Sequence, residues 1–199
     1  MNETLVVPSS NNSTFFDAIS PYLKNPNNIA PMYFDKMKIE YNEDLSLGDN
    51  SWRQWKFEEI ILKTIGPNGG VHSMPIYNPC KIFNGYTTTG NYSSSWTWES
   101  KNSVDTPVYV EITYASNCTF TGYGFVPSYG TTYTHKSWDV YVDDVLVDSI
   151  QNGYSNFKTG IVSAFNLNQS VTGKVIKFKL CNMAGNICMQ ELEIYGKRI

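Results

Sequence analysis

Hydrophobic and polar positions alternate with a period of two along much of the chain after residue 52. The alternation is clear in four segments, which are 108–114, 138–142, 176–180 and 191–195. A period of two is typical of a β-strand with one buried and one exposed face. Asp143-Asp144 directly follows the second segment and predicts a hairpin into 145–147.

The run Trp52–Ile65 is rich in apolar residues and is interpreted as strand, although Glu58-Glu59 within it would also suit a helix. The cluster Gly66–Gly70 that follows is a turn signal. Strands therefore recur with turns between them, and no amphipathic helix of about ten residues intervenes. This pattern predicts an all-β domain over residues 48–199, an antiparallel β-sandwich of the jelly-roll kind.

Residues 1–47 have a different pattern of hydrophobic and polar residues and are predicted to form an N-terminal arm. Apolar residues in 15–23 follow a helical spacing, which Pro21 limits to a short helix, and 37–41 alternates like a short strand. Such a segment exposes large apolar residues unless it covers another surface. Two interpretations stay open: the arm wraps around its own sandwich, or it docks into another subunit of a larger assembly.

The composition limits the partners of the protein. Charged residues make up 17% of the chain and the net charge is -3, so the chain lacks the basic excess that non-specific nucleic-acid binding requires. The same argument excludes attraction to anionic membranes. No run of about 18 apolar residues occurs, so we expect no insertion into a membrane.

The segment Met1–Leu5 has neither the basic region nor the apolar region of a secretory signal. This leaves the cytosol, a secreted or surface protein whose leader was removed, or assembly into a virus particle. The low charge, the many Asn, Ser, Thr and Tyr residues and the separate arm favour a virion, such as a bacteriophage tail or capsid. An extracellular protein is the alternative.

The cysteine and histidine content argues against a zinc site, because the four cysteines form no Cys-x-x-Cys pair and the chain has two histidines, His72 and His135. Cys181 and Cys188 flank a segment that resembles a hairpin loop, so they could face each other as a disulfide. Free buried thiols are the favoured interpretation in the absence of a signal peptide.

The stretch Lys81–Trp96 is predicted to be a loop fixed on the sandwich. Asn84-Gly85 is a strong turn former, because both residues tolerate positive φ. The threonines and serines after it offer hydroxyl groups to backbone atoms or to a cation, and its aromatic residues have the uneven spacing of an anchored loop. The alternative is an ordinary polar loop rich in Asn and Ser.

Four stretches carry a family resemblance, and they are Phe83-Asn84-Gly85 with Thr89 and Tyr92–Ser94, Lys136–Asp144, Val175–Leu180 and Gln190–Gly196. In this order and spacing they resemble the discoidin, or coagulation factor 5/8 type C, domain of the galactose-binding-like superfamily. The sequence departs from the family pattern at Asn84, where aspartate is usual, and at His135, where proline is common. The arm has no counterpart in the family.

The resemblance implies a calcium ion beside the first loop. Carried over to this sequence, the ligands would be the carbonyl groups of Lys81 and Tyr86, the side chains of Asn84 and Thr89, and the carboxylate of Glu191. Calcium prefers six to eight oxygen ligands, at roughly 2.3–2.6 Å. Because asparagine replaces one of two charges, we expect weakened calcium binding; the alternative is a loop held by hydrogen bonds, with Asn84 capping the turn.

The resemblance also implies a ligand site on loops at one end of the sandwich, with exposed aromatic rings. A tyrosine or tryptophan ring can stack on the C–H groups of a sugar. The candidate residues are Tyr86, Trp96, Trp98, Tyr123, Tyr129 and Tyr133. The alternatives are that the tryptophans belong to the core, or that these loops contact another protein.

Catalysis has little support in the sequence. Neither histidine lies in a recognisable nucleophile motif, and Asp143-Asp144 is a turn. We therefore expect a non-enzymatic recognition or structural module. Its arm would dock to other subunits of a virion, and its loops would bind a host glycan or a neighbouring subunit. The alternatives are a secreted or surface carbohydrate-binding module and a purely structural scaffold.

Overall fold

The computed structural model describes residues 27–31, 39–57, 60–72, 79–85, 87–89, 98–99, 106–183 and 186–199. Over these residues the chain forms nine β-strands, with short 3₁₀ helices between some of them and no α-helix. The all-β fold predicted from the alternating pattern is confirmed. The short helix predicted in 15–23 lies outside the described residues.

The strands differ greatly in length. They are β1 Glu40–Asp44, β2 Trp52–Phe57, β3 Ile60–Ile65, β4 Trp98–Glu99, β5 Val108–Pro127, β6 His135–Val142, β7 Val145–Ile150, β8 Ser163–Met183 and β9 Cys188–Arg198. Every strand pairing is antiparallel. The 3₁₀ helices are Gly48–Asn50, Pro67–Gly70, Pro79–Phe83 and Gly153–Asn156.

The two long strands, β5 and β8, connect two layers of the sandwich. The first half of β5 and the second half of β8 belong to a layer with the order β1-β2-β3-β5-β8-β6-β7. The second half of β5 pairs with the first half of β8 on one side and with β9 on the other, and β4 pairs with β9. Register shifts between Thr113 and Cys118 and between Phe120 and Gly122 allow β5 to bend from one layer into the other.

The core lies between the layers and is rich in aromatic side chains. Trp138 on β6 contacts Phe125 on β5 edge to face, with ring centroids 5.3 Å apart. The ring of Phe178 on β8 lies 5.7 Å from that of Phe125. Trp138 Nε1 donates a hydrogen bond of 2.7 Å to the hydroxyl of Tyr123. Edge-to-face packing is the preferred geometry of aromatic pairs. These contacts join the two layers face to face.

All four segments with clear alternation lie in strands, and two other expectations differ from the structure. Asp143-Asp144 forms the predicted hairpin between β6 and β7. Within Trp52–Ile65 the chain forms two paired strands, β2 and β3, so neither one continuous strand nor a helix describes it. Cys181 pairs with Ser137 in one layer, whereas Cys188 pairs with Glu99 in the other. The predicted Cys181–Cys188 hairpin is therefore wrong, and all four cysteines are free thiols.

Two described segments of the predicted arm lie on the sandwich. β1 extends the sheet beside β2. Asn27–Pro31 runs along β9, where Ile29 N–H donates to Ile194 O at 2.7 Å and Ala30 is buried. The hydroxyl of Tyr114 donates to Ile29 O at 3.1 Å. These segments therefore belong to the folded domain. Among the described residues no helix is long and apolar enough to cross a membrane.

Candidate functional site

Three loops meet at one end of the smaller layer, which consists of β4, β9 and the adjoining halves of β5 and β8. They lie where β5 ends and β8 and β9 begin, and this region is called the loop end. The loops are loop A, the described residues 84–85 and 87–89, loop B, residues 128–134, and loop C, residues 157–162. Ser128 N–H donates to Cys188 O at 2.9 Å, and Cys188 N–H donates to Tyr133 O at 3.0 Å, so both ends of loop B are fixed to the start of β9. Anchoring of this kind gives a loop a defined shape at the surface.

Loop B carries a pair of exposed tyrosine rings. The rings of Tyr129 and Tyr133 pack edge to face with centroids 5.2 Å apart. Their exposed fractions are 37% and 43%, although Ser128 and Thr134 beside them are buried. A turn within the loop, from Thr132 N–H to Tyr129 O at 3.2 Å, brings the two rings together. The pair presents an apolar surface with hydroxyl groups at its edge.

Loop C lies between the other two loops. Gly160 N–H donates to Pro127 O at 3.0 Å, at the base of loop B. A Cβ atom on Gly160, where φ is +67°, would lie 2.1 Å from Thr88 O of loop A. A Cβ atom on Gly130 would lie 3.3 Å from Phe157 O. Loop C thus contacts loops A and B closely, because glycine leaves room for the neighbouring backbone.

Loop A is held by two consecutive side chains of β9. Gln190 accepts a hydrogen bond from Thr88 N–H at 2.7 Å and donates one to Thr88 O at 2.9 Å. Glu191 Oε2 accepts a bond from Gly85 N–H at 3.2 Å. Gln190 and Glu191 are both buried. The side chains of β9 therefore fix loop A to the sandwich.

The described calcium candidates can be compared with the requirements of the ion. Lys81, Asn84 and Thr89 would supply neutral oxygen atoms, and Glu191 would supply a carboxylate, so the donors are of the type that calcium prefers. Glu191 already accepts a hydrogen bond from Gly85. Tyr86, the remaining candidate, lies outside the described residues. Among the described residues no group of three or more His, Cys, Asp or Glu side chains could hold a metal ion.

The predicted aromatic candidates occupy different environments. Tyr129 and Tyr133 lie at the surface of loop B, whereas Tyr123 is fully buried in the core. The hydroxyl of Tyr123 donates to Asp148 at 2.6 Å and accepts from Trp138. Tyr123 is corrected from a surface contact to a core residue, because its ring has no face available to a ligand.

The remaining aromatic candidates are Tyr86, Trp96 and Trp98. Tyr86 and Trp96 lie outside the described residues. The backbone of Trp98 forms β4 and pairs with Met189 of β9, which places this residue at the same end of the smaller layer as loops A, B and C.

Sequence reasoning missed Gln190 and loop C. Ile161 and Val162 of loop C are exposed, and Gln190 holds loop A. In the sequence Gln190 was only the first residue of the stretch Gln190–Gly196. Its partner Thr88 lies 102 positions earlier in the chain. The glycine of Thr159-Gly160 was a local signal of a turn, but the sequence did not indicate which loop it would contact.

Comparisons with known proteins concern the fold. No protein-family model matches the sequence, and no curated protein is significantly similar to it. Among solved structures, the chain is similar to the F5/8 type C domain of a Bacteroides fragilis protein, with a TM-score of 0.50 and 14% identity over 63% of this chain and 84% of that one.

Two further similar structures are carbohydrate-binding modules. One is the family 32 module of Streptococcus pneumoniae EndoD, with a TM-score of 0.47 and 16% identity over 61% of this chain and 86% of that one. The other is the third such module of a family 31 glycoside hydrolase from Clostridium perfringens, with a TM-score of 0.46 and 12% identity over 64% and 86%. The resemblance inferred from the sequence is confirmed for the fold: this chain has the jelly-roll fold of the F5/8 type C, or discoidin, domains.

Proposed function

We propose that the protein is a recognition module that binds a glycan at the surface formed by loops A, B and C, without transforming it. The observation that supports this most directly is the Tyr129–Tyr133 pair, two exposed rings packed against each other on an anchored loop. Stacking on the apolar face of a sugar is the interaction that such rings offer to a carbohydrate.

The polar groups around the tyrosine pair suit a ligand with many hydroxyl groups. Threonine side chains at 87, 89, 131 and 132 are exposed on loops A and B. Among the described residues of loops A, B and C, Lys158 is the one charged side chain. A neutral or anionic sugar would therefore avoid repulsion at this surface. The hydrogen bonds that hold loops A and B reduce the conformational entropy lost on binding.

Recognition rather than catalysis agrees with the environment of the groups that could act as acids or bases. His135 and Glu191 are almost completely buried. Glu193, which is also buried, accepts a hydrogen bond of 2.5 Å from Tyr195 on the same strand. Burial raises the pKa of Glu193, although the bond from Tyr195 opposes the shift. The side chains of these three residues are therefore inaccessible to a bound sugar.

The experiment is a glycan array on the wild type, on Tyr129→Ala and Tyr133→Ala, and on the double variant. Loss of one stacking ring is expected to weaken binding about 10- to 100-fold. Tyr41→Ala is the matched control, because Tyr41 is also an exposed tyrosine but lies on the edge strand β1. Absence of binding by the wild type, with and without EDTA, or equal binding by the double variant, would contradict the proposal.

A structural role for the same loops is the second candidate. Ile161 and Val162 expose apolar surface beside the tyrosine pair, and such a surface also suits contact with another subunit. Size-exclusion chromatography at rising concentration distinguishes the two candidates. A monomer that binds a glycan supports recognition, whereas an assembly that dissociates on Tyr133→Ala substitution supports subunit contact.

The virion setting and the docking role of the arm stay predictions from the sequence. The described segments 27–31 and 39–44 contact the sandwich itself, so a docking role would fall to other residues of the arm. Genes for tail or capsid proteins beside this gene would support a virion component. Genes for secreted enzymes or surface proteins would support the extracellular alternative.

A further inference from the structure

His135 lies in a cage of aromatic rings directly beneath the loop end. Its ring packs edge to face against Phe125, Trp138 and Phe157, with centroid distances of 4.5, 5.1 and 5.5 Å. The residue is 1% exposed, and neither ring nitrogen has a hydrogen-bond partner among the described residues. An imidazole buried in this way lacks the acceptors that a second proton would require.

The charged groups on the surrounding elements do not compensate for this. On β6, Lys136 lies over the ring of Tyr154, 5.6 Å from its centroid. Asp148 on β7 accepts a hydrogen bond from the hydroxyl of Tyr123 on β5, and this hydroxyl accepts one from Nε1 of the cage residue Trp138. Lys158 follows Phe157 and is exposed. Burial alone lowers the pKa of His135 from 6.5 to about 3.

Loops B and C are both attached to this cage. Loop B ends at Thr134, directly before His135, and loop C begins at Phe157, one of the three rings. The two loops also touch each other, since Gly130 lies against Phe157 O. Movement of either loop away from the sandwich would therefore open one side of the cage around His135.

We propose that His135 makes the loop end sensitive to acid, so that its protonation opens loops B and C and releases the bound ligand. The part of this proposal that concerns ligand release rests on the proposed function. The part that concerns the loops rests on the cage alone.

The direction and size of the effect follow from linkage. The folded state holds His135 neutral, whereas an opened loop allows it to titrate at its ordinary value, so acid favours the open state. The free-energy preference for closed loops that the neutral His135 provides is fully present above pH 6.5. It is lost progressively as the pH falls toward the folded-state pKa of about 3. Between pH 7.5 and pH 5, the ratio of open to closed loops rises about 30-fold.

Amide hydrogen exchange tests the loop opening without a ligand. The reporters are the amides of Ser128 and Cys188, whose hydrogen bonds fix loop B. In the wild type we expect their protection factors, which are corrected for intrinsic exchange, to fall about 30-fold between pH 7.5 and pH 5. His135→Phe retains a ring in the cage and removes the titration, so it should abolish this fall.

His72→Gln is the matched control, because His72 is exposed and is the other histidine of the chain. This variant should keep the wild-type fall. The difference between wild type and His135→Phe also cancels the contributions of the carboxylates, which titrate in both. An equal fall in His135→Phe, or no fall in the wild type, would overturn the proposal.

Amides in the pairing of β3 with β5 distinguish local from global opening. Loops that open alone should show lower protection than these amides at both pH values. Equal protection in loops and strands would mean that His135 acts on the stability of the whole fold. This result would overturn the proposal that loops B and C open locally. If His135→Phe does not fold, NMR of the wild-type His135 imidazole decides: a ring that titrates near its ordinary pKa of 6.5 while the loops are closed would contradict the cage.

Ligand release is tested separately with immobilised glycans that bind the wild type at pH 7.5. Binding by the wild type should decrease at pH 5, and binding by His135→Phe should not. If no glycan binds the wild type, the proposed function is contradicted, whereas the hydrogen-exchange test of loop opening is unaffected. If the loops open in acid but the affinity for the glycan does not change, the proposed ligand release is wrong, and the proposed loop opening still holds.

Discussion

The two ends of the sandwich are built in different ways. At the hairpin end, Asp143 and Asp144 both have positive φ and join β6 to β7 in a tight turn. Asp143 Oδ1 accepts hydrogen bonds from the N–H groups of Lys174 and Val175, at 3.0 and 2.9 Å, and Asp144 pairs with Lys177. The β6–β7 turn is therefore held by the neighbouring bend of β8.

The loop end is held by groups far apart in the sequence. Gln190 holds Thr88, Glu191 holds Gly85, and Gly160 lies against loop A. The β6–β7 turn itself follows from local turn chemistry, and residues of β8 that lie 31 and 32 positions later then stabilise it. Loops A, B and C, in contrast, contact one another only through the tertiary structure. A surface made by several distant segments can vary its shape with the sequence of each loop, which suits recognition.

The largest effect is expected for Gly160→Ala. The new Cβ would lie 2.1 Å from Thr88 O, and φ is +67°, so both a backbone clash and strain oppose the change. We expect a loss of more than about 2 kcal/mol in the free energy of unfolding, measured by chemical denaturation. Gly48→Ala is the matched control, because Gly48 also has a positive φ, +61°, but has open space around it. Equal losses would show that the contact between loops A and C is unimportant.

Gln190→Leu should have the next largest effect. It removes both hydrogen bonds to Thr88 while it keeps an apolar volume on β9. Loss of these two bonds should lower the free energy of unfolding by about 1–3 kcal/mol. Loop A should also lose its fixed position, seen as faster amide exchange of Thr88. Gln169→Leu, at an exposed position of β8, should change neither quantity. A stable variant with unchanged Thr88 exchange would contradict the role of Gln190.

Asp143→Ala probes the other end of the sandwich. The variant loses the bonds to Lys174 and Val175 and places alanine at positive φ, so a loss of about 1 kcal/mol is expected. Glycan binding should be unchanged, since the site lies at the opposite end of β6. If Asp143→Ala binds the glycan more weakly while its free energy of unfolding is unchanged, the glycan site is not confined to the loop end.

Calcium should produce the smallest effect. We propose that any calcium bound beside loop A is weakly held, because Asn84 replaces an aspartate of the family pattern. Addition of millimolar calcium should raise the midpoint of thermal unfolding of the wild type slightly, and EDTA should reverse the change. Glu191→Gln, which can still accept the bond from Gly85, should abolish the response. An equal response in both proteins would exclude Glu191 as a ligand.

The sequence predicted what depends on periodicity and local turns. The alternation in 138–142 followed by two aspartates was sufficient to predict β6, β7 and their hairpin. In the pattern Gly122-Tyr123-Gly124-Phe125, a strand places Tyr123 on the same face as Phe125, so the sequence itself indicates that Tyr123 belongs to the core.

Other features could not be predicted, because they depend on which loops meet. Nothing near Gln190 indicated that its partner would be Thr88, and the alternation gave no indication that β5 and β8 each cross between layers. His135 was visible as a departure from a common proline, but its burial follows from three rings on different parts of the chain. Contacts of this kind are fixed by tertiary structure.

The central claim is that a ligand binds where loops A, B and C meet. The most direct measurement is a titration of ¹⁵N-labelled protein with the glycan that binds best on the array, followed by chemical-shift changes of the backbone amides. The account predicts that the largest changes fall in 87–89, 128–134 and 159–162. Changes concentrated in 143–147, with loop B unaffected, would contradict it.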